Sequence, residues 1–327
     1  MKFLDLFAGI GGFRLGLEMA GHECVGHVEI DKYAHKSYVA MHNPKEDEYY
    51  ADDIRSVKPE DLPDFDILTG GFPCQSFSIA GKRGGFTDTR GTLFFEIMRI
   101  ASVRKPKYLF LENVKGLFSH DGGKTFGTIL STLWECGYDA EWQVCNSKNY
   151  GVPQNRERVF IIGHLRGAGG GQVFPVRHRS EVSDEEQVGT NPCIPALTAT
   201  DYKGASQQRR HLVIPTSQGI KQIGNIDQHK TERENPQTGR IYSTEGISPT
   251  LNTMQGGQRE PKISNGMRIR KLTPKECFRL QGFPDEYFER AAEVVSNSQL
   301  YKQAGNSVTV PVIYEIAKKL KEEEARR

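Results

Sequence analysis

The chain has 327 residues, 37% of them hydrophobic and 26% charged, with a formal net charge of +2 at neutral pH. That length allows a sizeable core plus a second, smaller domain, and the near-balanced charge excludes a generally polybasic coat, so any polyanion site must be a local patch. No apolar run approaches the about 20 residues of a membrane span, and no signal-peptide pattern opens the sequence.

Residues 3–7, Phe-Leu-Asp-Leu-Phe, read as the first strand. Ala8 to Gly12 is a glycine-rich turn, and Phe13 to Ala20 has helical periodicity, with Phe13, Leu17 and Ala20 on one face. Strand, glycine turn, helix is the context of a nucleotide-like ligand: glycine lets the backbone come close, and a helix N-terminus favours negative charge. The spacing is not G-x-G-x-x-G, because the third position falls at Arg14, so a looser adenosyl site fits better than a pyrophosphate grip. The next strand, Cys24 to Val28, ends in Glu29-Ile30-Asp31. An acid about 20 residues past the glycine turn can accept both ribose hydroxyls. Asp31 also suits the N-cap of a helix starting at Lys32, so Glu29 reads as the ligand acid and Asp31 as the cap. Asp53 follows another short strand; it either accepts from an adenine amino group or is a solvated turn carboxylate.

Phe65 to Leu68 is a buried strand running into Gly70-Gly71-Phe72-Pro73-Cys74. In an α/β sheet the crevice beyond a strand's carboxyl end is where ligands bind, which places a thiol where chemistry sits. Pro73 stiffens the approach to Cys74. The competing reading is an inert buried cysteine. Residues 79–91, rich in glycine and basic side chains, form either a loop that closes on a polyanion or a plain surface loop. Thr92 to Val103 reads as a helix. Tyr108 to Leu111 is a strand ending in Glu112-Asn113-Val114; a carboxyl in an apolar crevice holds its proton more tightly and suits proton donation. A helix follows at 125–136, then strands at Ala140 to Cys145 and Val159 to Gly163. Arg156 and Arg158, between them, share one side if the chain there is extended, or form a surface ladder through Glu157.

Residues 166–262 change character: thin apolar content, frequent turns, many polar side chains. This reads as a small, irregular, β-rich domain whose polar side chains suit base edges or plain loops. Arg268 to Pro284 starts a helical segment, with Thr273 as cap and Pro274 at N1. Gln303 to Val308 is a turn, and Val312 to Lys321 an amphipathic terminal helix. The six cysteines, at 24, 74, 136, 145, 193 and 277, show no C-x-x-C spacing, and the nine histidines no ligand-like cluster. Reduced cytosolic thiols and no metal are expected.

Together these stretches resemble the DNA (cytosine-5) methyltransferases, above all the small bacterial and phage enzymes. Asp5-Leu6-Phe7-Ala8-Gly9-Ile10-Gly11-Gly12 is similar to the family's cofactor motif, and Gly71-Phe72-Pro73-Cys74-Gln75 to its catalytic motif. Glu112-Asn113-Val114 and Gln154-Asn155-Arg156-Glu157-Arg158 match two more. Arg270 to Cys277 with Gln281 to Pro284, and Gly305-Asn306-Ser307-Val308, match the last two, in the family's usual order across nearly the whole chain. A similarity also runs through Gln237 to Thr244.

The resemblance implies an α/β, Rossmann-like S-adenosylmethionine-dependent methyltransferase domain with a small, irregular β-rich target-recognition domain. It divides the chain into a catalytic and cofactor-binding domain (1–165), a target-recognition domain (166–262), a hinge or scaffold segment (263–300) and a C-terminal helix returning to the first domain (301–327). It implies that Cys74 attacks cytosine C6, that Glu112 acts on N3 and the exocyclic amine, that Arg156 binds O2, and that Arg158 supports Glu112 or Arg156. The cofactor residues it carries over are Phe7, Ala8, Gly9, Gly11, Gly12, Glu29, Ile30, Asp53, Ile54, Pro73, Leu93, Asn306 and Ser307. Those for DNA are Gln75, Ser78, Arg90, Gln237, Arg240, Tyr242 and Thr250, with Arg90 on phosphate and Gln237 filling the place of a flipped cytosine. Ile30 and Ala80 depart from the family pattern, at an aromatic beside the ribose acid and at a loop serine. The implied partners are S-adenosylmethionine, released as S-adenosylhomocysteine, and a short specific site in double-stranded DNA. A monomer is implied, working without metal or membrane in the cytoplasm of a bacterial or phage-infected cell, with a cognate restriction endonuclease possible but not needed.

Overall fold

The computed structural model describes residues 1–73, 93–168, 171–176, 219–225, 239–254, 259–264 and 269–326. Its larger sheet has seven strands: β1 (Lys2–Leu6), β2 (Glu23–Val28), β3 (Tyr49–Ala51), β4 (Ile67–Gly71), β5 (Tyr108–Val114), β6 (Tyr138–Asn146) and β7 (Glu157–Leu165). They lie in the order β3-β2-β1-β4-β5-β7-β6. β7 runs antiparallel to both its neighbours, and the other pairings are parallel. The central strands read as unbroken apolar runs because helices cover both faces; Tyr108, Leu109, Phe110 and Leu111 are all fully buried.

On one face lie α1 (Gly12–Met19) and α8 (Val310–Ala325), whose Phe13, Leu17, Ile313, Ile316 and Leu320 pack with Phe3, Phe110 and Ile162. On the other lie α3 (Leu93–Arg104) and α4 (Lys124–Glu135), whose Ile97, Met98, Ile129 and Leu133 meet Leu4, Leu68, Leu109 and Ile161. α8 packs on the first sheet, and it is longer than the expected Val312 to Lys321. A third core joins α2 (Lys32–His42) to α5 (Pro274–Leu280), α6 (Asp285–Val294) and α7 (Asn297–Asn306) through Met41, Phe278, Phe283, Ala291 and Leu300. Among the described residues no helix is long and apolar enough to cross a membrane.

A smaller sheet holds β8 (Gln222–Asn225), β9 (Arg240–Ser243), β10 (Lys262–Ser264) and β11 (Ile269–Lys271), in the order β11-β10-β9-β8. It straddles the expected boundary at 262, since β10 begins there and pairs forward with β11. Two expectations change. Ile269 to Lys271 is a strand, not the head of a helix. The residue before a proline avoids the α region, so α5 starts only at Pro274. There Thr273 and Glu276 form a reciprocal capping box, with N···O distances of 3.3 and 2.7 Å. Gln303 to Asn306 is the last turn of α7, not a free turn. Gly305 looks like a turn residue but is needed for packing: a Cβ there would strike the backbone of Asn252.

Candidate active site

The strand order reverses between β1 and β4, the switch point where an open α/β sheet leaves a crevice. Beyond the carboxyl ends of β1, β2, β4 and β5 lies a cavity of about 730 Å³, within the roughly 300–1,000 Å³ of small-ligand sites. Phe7, at the end of β1, has φ 55°, unusual for a residue with a side chain and a kind of strain that collects at functional sites. Phe7, Gly9, Glu29, Ile30, Asp53, Ile54, Pro73, Leu93, Asn306 and Ser307 all line the cavity, as do Glu112, Arg156 and Arg158.

Ala8, Gly11 and Gly12 do not line it. Gly9 alone of the turn glycines has both a left-handed φ of 56° and open space where a Cβ would stand. Gly11 makes room for the His42 imidazole, and Gly12 for Ser307 and Val308. His42 is half-buried overall, and desolvation of its ring pushes its pKa down to about 3. The neutral ring donates from Nε2 to the Ile10 carbonyl at 2.9 Å. Glycine that admits a neighbour and glycine that admits a ligand look alike in sequence.

Glu29 is fixed from both sides: its oxygens accept the Gly9 N–H and the Asp31 N–H, each at 2.7 Å. Burial raises its pKa, against those two bonds. Asp31 caps α2 through the Tyr33 and Ala34 N–H groups, and its other oxygen takes Lys302 Nζ at 2.6 Å. Asp53 is not a bare turn acid, because its carboxylate grips the Arg55 guanidinium at 2.6 Å. Lys302 and Gln303 line the cavity too. The sequence reading missed them because only the packing of α7 on α2 brings them there.

Beneath the cavity floor, Asp5 of β1 is fully buried. Oδ1 accepts the Thr69 hydroxyl at 2.7 Å, while Oδ2 has no partner. Burial pushes the Asp5 pKa up to about 7. A raised carboxyl favours the fold below its unfolded pKa of about 3.9, and that contribution is lost as pH rises towards the folded value. Asp5→Asn is therefore expected to flatten the decline in stability from about pH 4 to about pH 7. At pH 8 the variant should be the more stable of the two. Thermal melts of both proteins across this range check it; parallel pH profiles would count against an ionising Asp5.

The catalytic side is set by strand register. Parallel pairing of β4 with β5 places Gly71 opposite Glu112, and Glu112 Oε2 lies 3.3 Å from where a Gly71 Cβ would be. The next residue, Asn113, donates from Nδ2 to the Phe72 carbonyl at 2.8 Å. The chain leading into Cys74 is thus pinned beside Glu112. Glu112 is not alone in an apolar crevice: Arg158 Nε is 3.0 Å from Oε1. Arg156 is 2% exposed. It donates to the carbonyls of Leu251, Gly305 and Ser307 at 3.1, 3.1 and 2.8 Å. Both its terminal nitrogens donate to backbone carbonyls, and Arg158 is the guanidinium paired with Glu112. The Glu157 carboxylate pairs with Lys115, and Arg158 reaches only the Glu157 backbone carbonyl, at 2.8 Å.

Cys74, Gln75, Ser78, Arg90 and Gln237 lie outside the described residues. Of the other expected DNA contacts, Tyr242 is buried within the smaller sheet, and Thr250 donates its hydroxyl to the Asn155 carbonyl at 2.6 Å. Arg240 is half-buried at the start of β9. Among the described residues no group of three His, Cys, Asp or Glu side chains could hold a metal.

Residues 1–322 match the sequence profile described as C-5 cytosine-specific DNA methylase. The chain is 40% identical to the type II methyltransferase M.HhaI of Haemophilus parahaemolyticus, over 97% of this chain and 93% of that protein. It is 39% identical to M.Bsp6I of Bacillus sp. strain RFL6, over 98% of each. It is 34% identical to the orphan methyltransferase M.Phi3TI of Bacillus phage phi3T, over 98% of this chain and 97% of that one. The crystal structure of S. pombe Dnmt2 methyltransferase superposes with a TM-score of 0.67 over 98% of this chain and 99% of that chain. At 22% identity this likeness speaks to the fold alone. The chain belongs to the C-5 cytosine-specific DNA methylase family, and its chemistry is methylation of cytosine C5 in DNA.

Proposed function

We propose that the methyl donor is S-adenosylmethionine, that the acceptor is a cytosine flipped out of a short specific site in double-stranded DNA, and that the covalent catalyst is Cys74. The carrying observation is the register of Gly71 with Glu112, which joins the approach to Cys74 to the cavity holding Gly9 and Glu29. The residues fit such a donor. Gly9 leaves open space for backbone approach, Glu29 retains lone pairs for ribose hydroxyls, and Ile30, 65% exposed, offers an apolar surface to a base. When bound, the donor supplies a methyl group on a positively charged sulfur, a good leaving group. The smaller sheet belongs to the target-recognition domain. The names of the type II relatives support a place in restriction-modification, and the phage relative a place in DNA protection. The working form is a monomer in the cytoplasm, with no need of a restriction partner.

A base inside a duplex cannot reach Cys74, so it leaves the stack at a cost of a few kcal/mol. The Cys74 thiolate adds to C6, and the C5–C6 π pair shifts to make C5 nucleophilic. Glu112, held by Arg158, meets N3 and the exocyclic amine and stabilises the charge that builds on the ring. C5 takes the methyl group, and the electron pair of the broken bond stays on sulfur. Loss of the C5 proton then expels Cys74 and restores the double bond.

Tritium from methyl-labelled cofactor should enter duplex DNA and not tRNA. Bisulfite sequencing of DNA from an expressing host should show one short site protected. Label in tRNA, or in neither, would overturn this reading. Glu29→Ala should weaken cofactor binding by about 1–3 kcal/mol, as for a lost hydrogen bond to a charged group. Duplex binding without cofactor should barely change; an equal fall in both titrations would make Glu29 structural.

A further inference from the structure

Arg156 is a buried cation with no ion-pair partner among the described residues. Among the described residues no carboxylate lies within ion-pairing distance, Nε has no hydrogen-bond partner, and the other nitrogens serve only backbone carbonyls. Removing one partner of such a group strands the rest, so its upkeep calls for a reason. The carbonyls it joins are far apart in sequence. Leu251 follows the smaller sheet's β9, whereas Gly305 and Ser307 line the cavity.

Each end of this bridge is reinforced. Gln154 also holds Leu251, accepting its N–H at 3.1 Å, and donates to the Leu280 carbonyl at 2.9 Å. Gly305 lies so close to the Asn252 backbone that no side chain fits between them. One turn back along α7, Lys302 grips Asp31, and Gln303 donates to the Tyr33 carbonyl at 3.0 Å and accepts the Ser37 hydroxyl at 3.0 Å. The Asp31 N–H in turn fixes Glu29. An unbroken set of contacts thus runs from Leu251 through Arg156 and α7 to the acid assigned to the ribose. Contiguous packing and hydrogen bonds of this kind are what carry coupling between sites.

We infer that Arg156 is a positioning residue that couples the 251–254 segment of the recognition side to the cofactor pocket, so that filling the pocket orders that segment. The inference rests on the reading of the cavity as the cofactor site. Because coupling is reciprocal, a DNA site that orders the segment also favours a filled pocket.

Hydrogen–deuterium exchange of the full chain, with and without S-adenosylhomocysteine and without DNA, tests it. In the wild type the ligand should slow exchange of the 31–34 amides and also of Leu251 and Met254, the latter by at least about fivefold, the lower end of typical coupling. In Arg156→Lys, which keeps the charge but cannot span three carbonyls, protection at 31–34 should persist and that at 251–254 should be lost. Gln154→Met, which releases the Leu251 N–H at the far end of the bridge and leaves the cavity lining untouched, should do the same if the lysine variant fails to fold. Protection confined to 31–34 in the wild type, or unchanged transmission in a folded variant, overturns the coupling. No protection anywhere overturns the cofactor reading itself.

Discussion

Cys74→Ser is expected to lower methyl transfer by at least about 10⁴-fold, the scale seen when a covalent nucleophile leaves a preorganised site. A thiol supplies some thiolate at neutral pH, whereas a serine hydroxyl needs a base beside it. Cofactor and duplex affinities should stay within about threefold, or roughly 0.7 kcal/mol, because neither depends on the C6 bond. Steady-state rates with equilibrium titrations separate the two effects. Residual turnover within about 100-fold of wild type, some 2.7 kcal/mol of barrier, would remove Cys74 from the covalent role.

Glu112→Gln is the second large effect. The amide keeps the size of the side chain at the Gly71–Glu112 register position but not its charge, and so loses the ion pair with Arg158. Transition-state stabilisation by one such group is worth about 10²–10³ in kcat. The loss should therefore appear in kcat, with cofactor affinity little changed, since Glu29 and Gly9 are untouched. A variant that keeps kcat within about threefold, roughly 0.7 kcal/mol of barrier, would make Glu112 a scaffold for Arg158. One that loses cofactor binding instead would show that the two halves of the cavity are not separable.

Local patterns carried much of this into the sequence. The β1–turn–α1 unit, the cap at Asp31, the acid at Glu29 and the Thr273-Pro274 helix start each depend on a few neighbouring residues, and each stands within a residue or two of where it was expected. What the sequence hid depends on partners far along the chain. The reversal of β7 leaves no mark in an apolar run that would suit either direction. Gly11 and Gly12 sit in a turn whose pattern suits a ligand, and the room where their Cβ atoms would stand is filled by His42, Ser307 and Val308. The period-2 spacing of Arg156 and Arg158 is real, yet their partners differ: a carboxylate one strand away for Arg158, and carbonyls 95 to 151 positions distant for Arg156. Lys302 and Gln303 were invisible for the same reason.

The most direct measurement uses a duplex carrying the mapped site with 5-fluorocytosine in place of the target cytosine. Fluorine at C5 cannot leave as a proton, so the sequence of addition and methyl transfer should stop before Cys74 is expelled. Wild-type enzyme with S-adenosylmethionine should form a protein–DNA adduct that survives denaturant, and peptide mapping should place the link at Cys74. Cys74→Ser should form none. Wild-type enzyme that methylates the normal site but leaves no denaturant-resistant adduct on the fluorinated one, or an adduct mapped to another residue, would contradict covalent catalysis by Cys74.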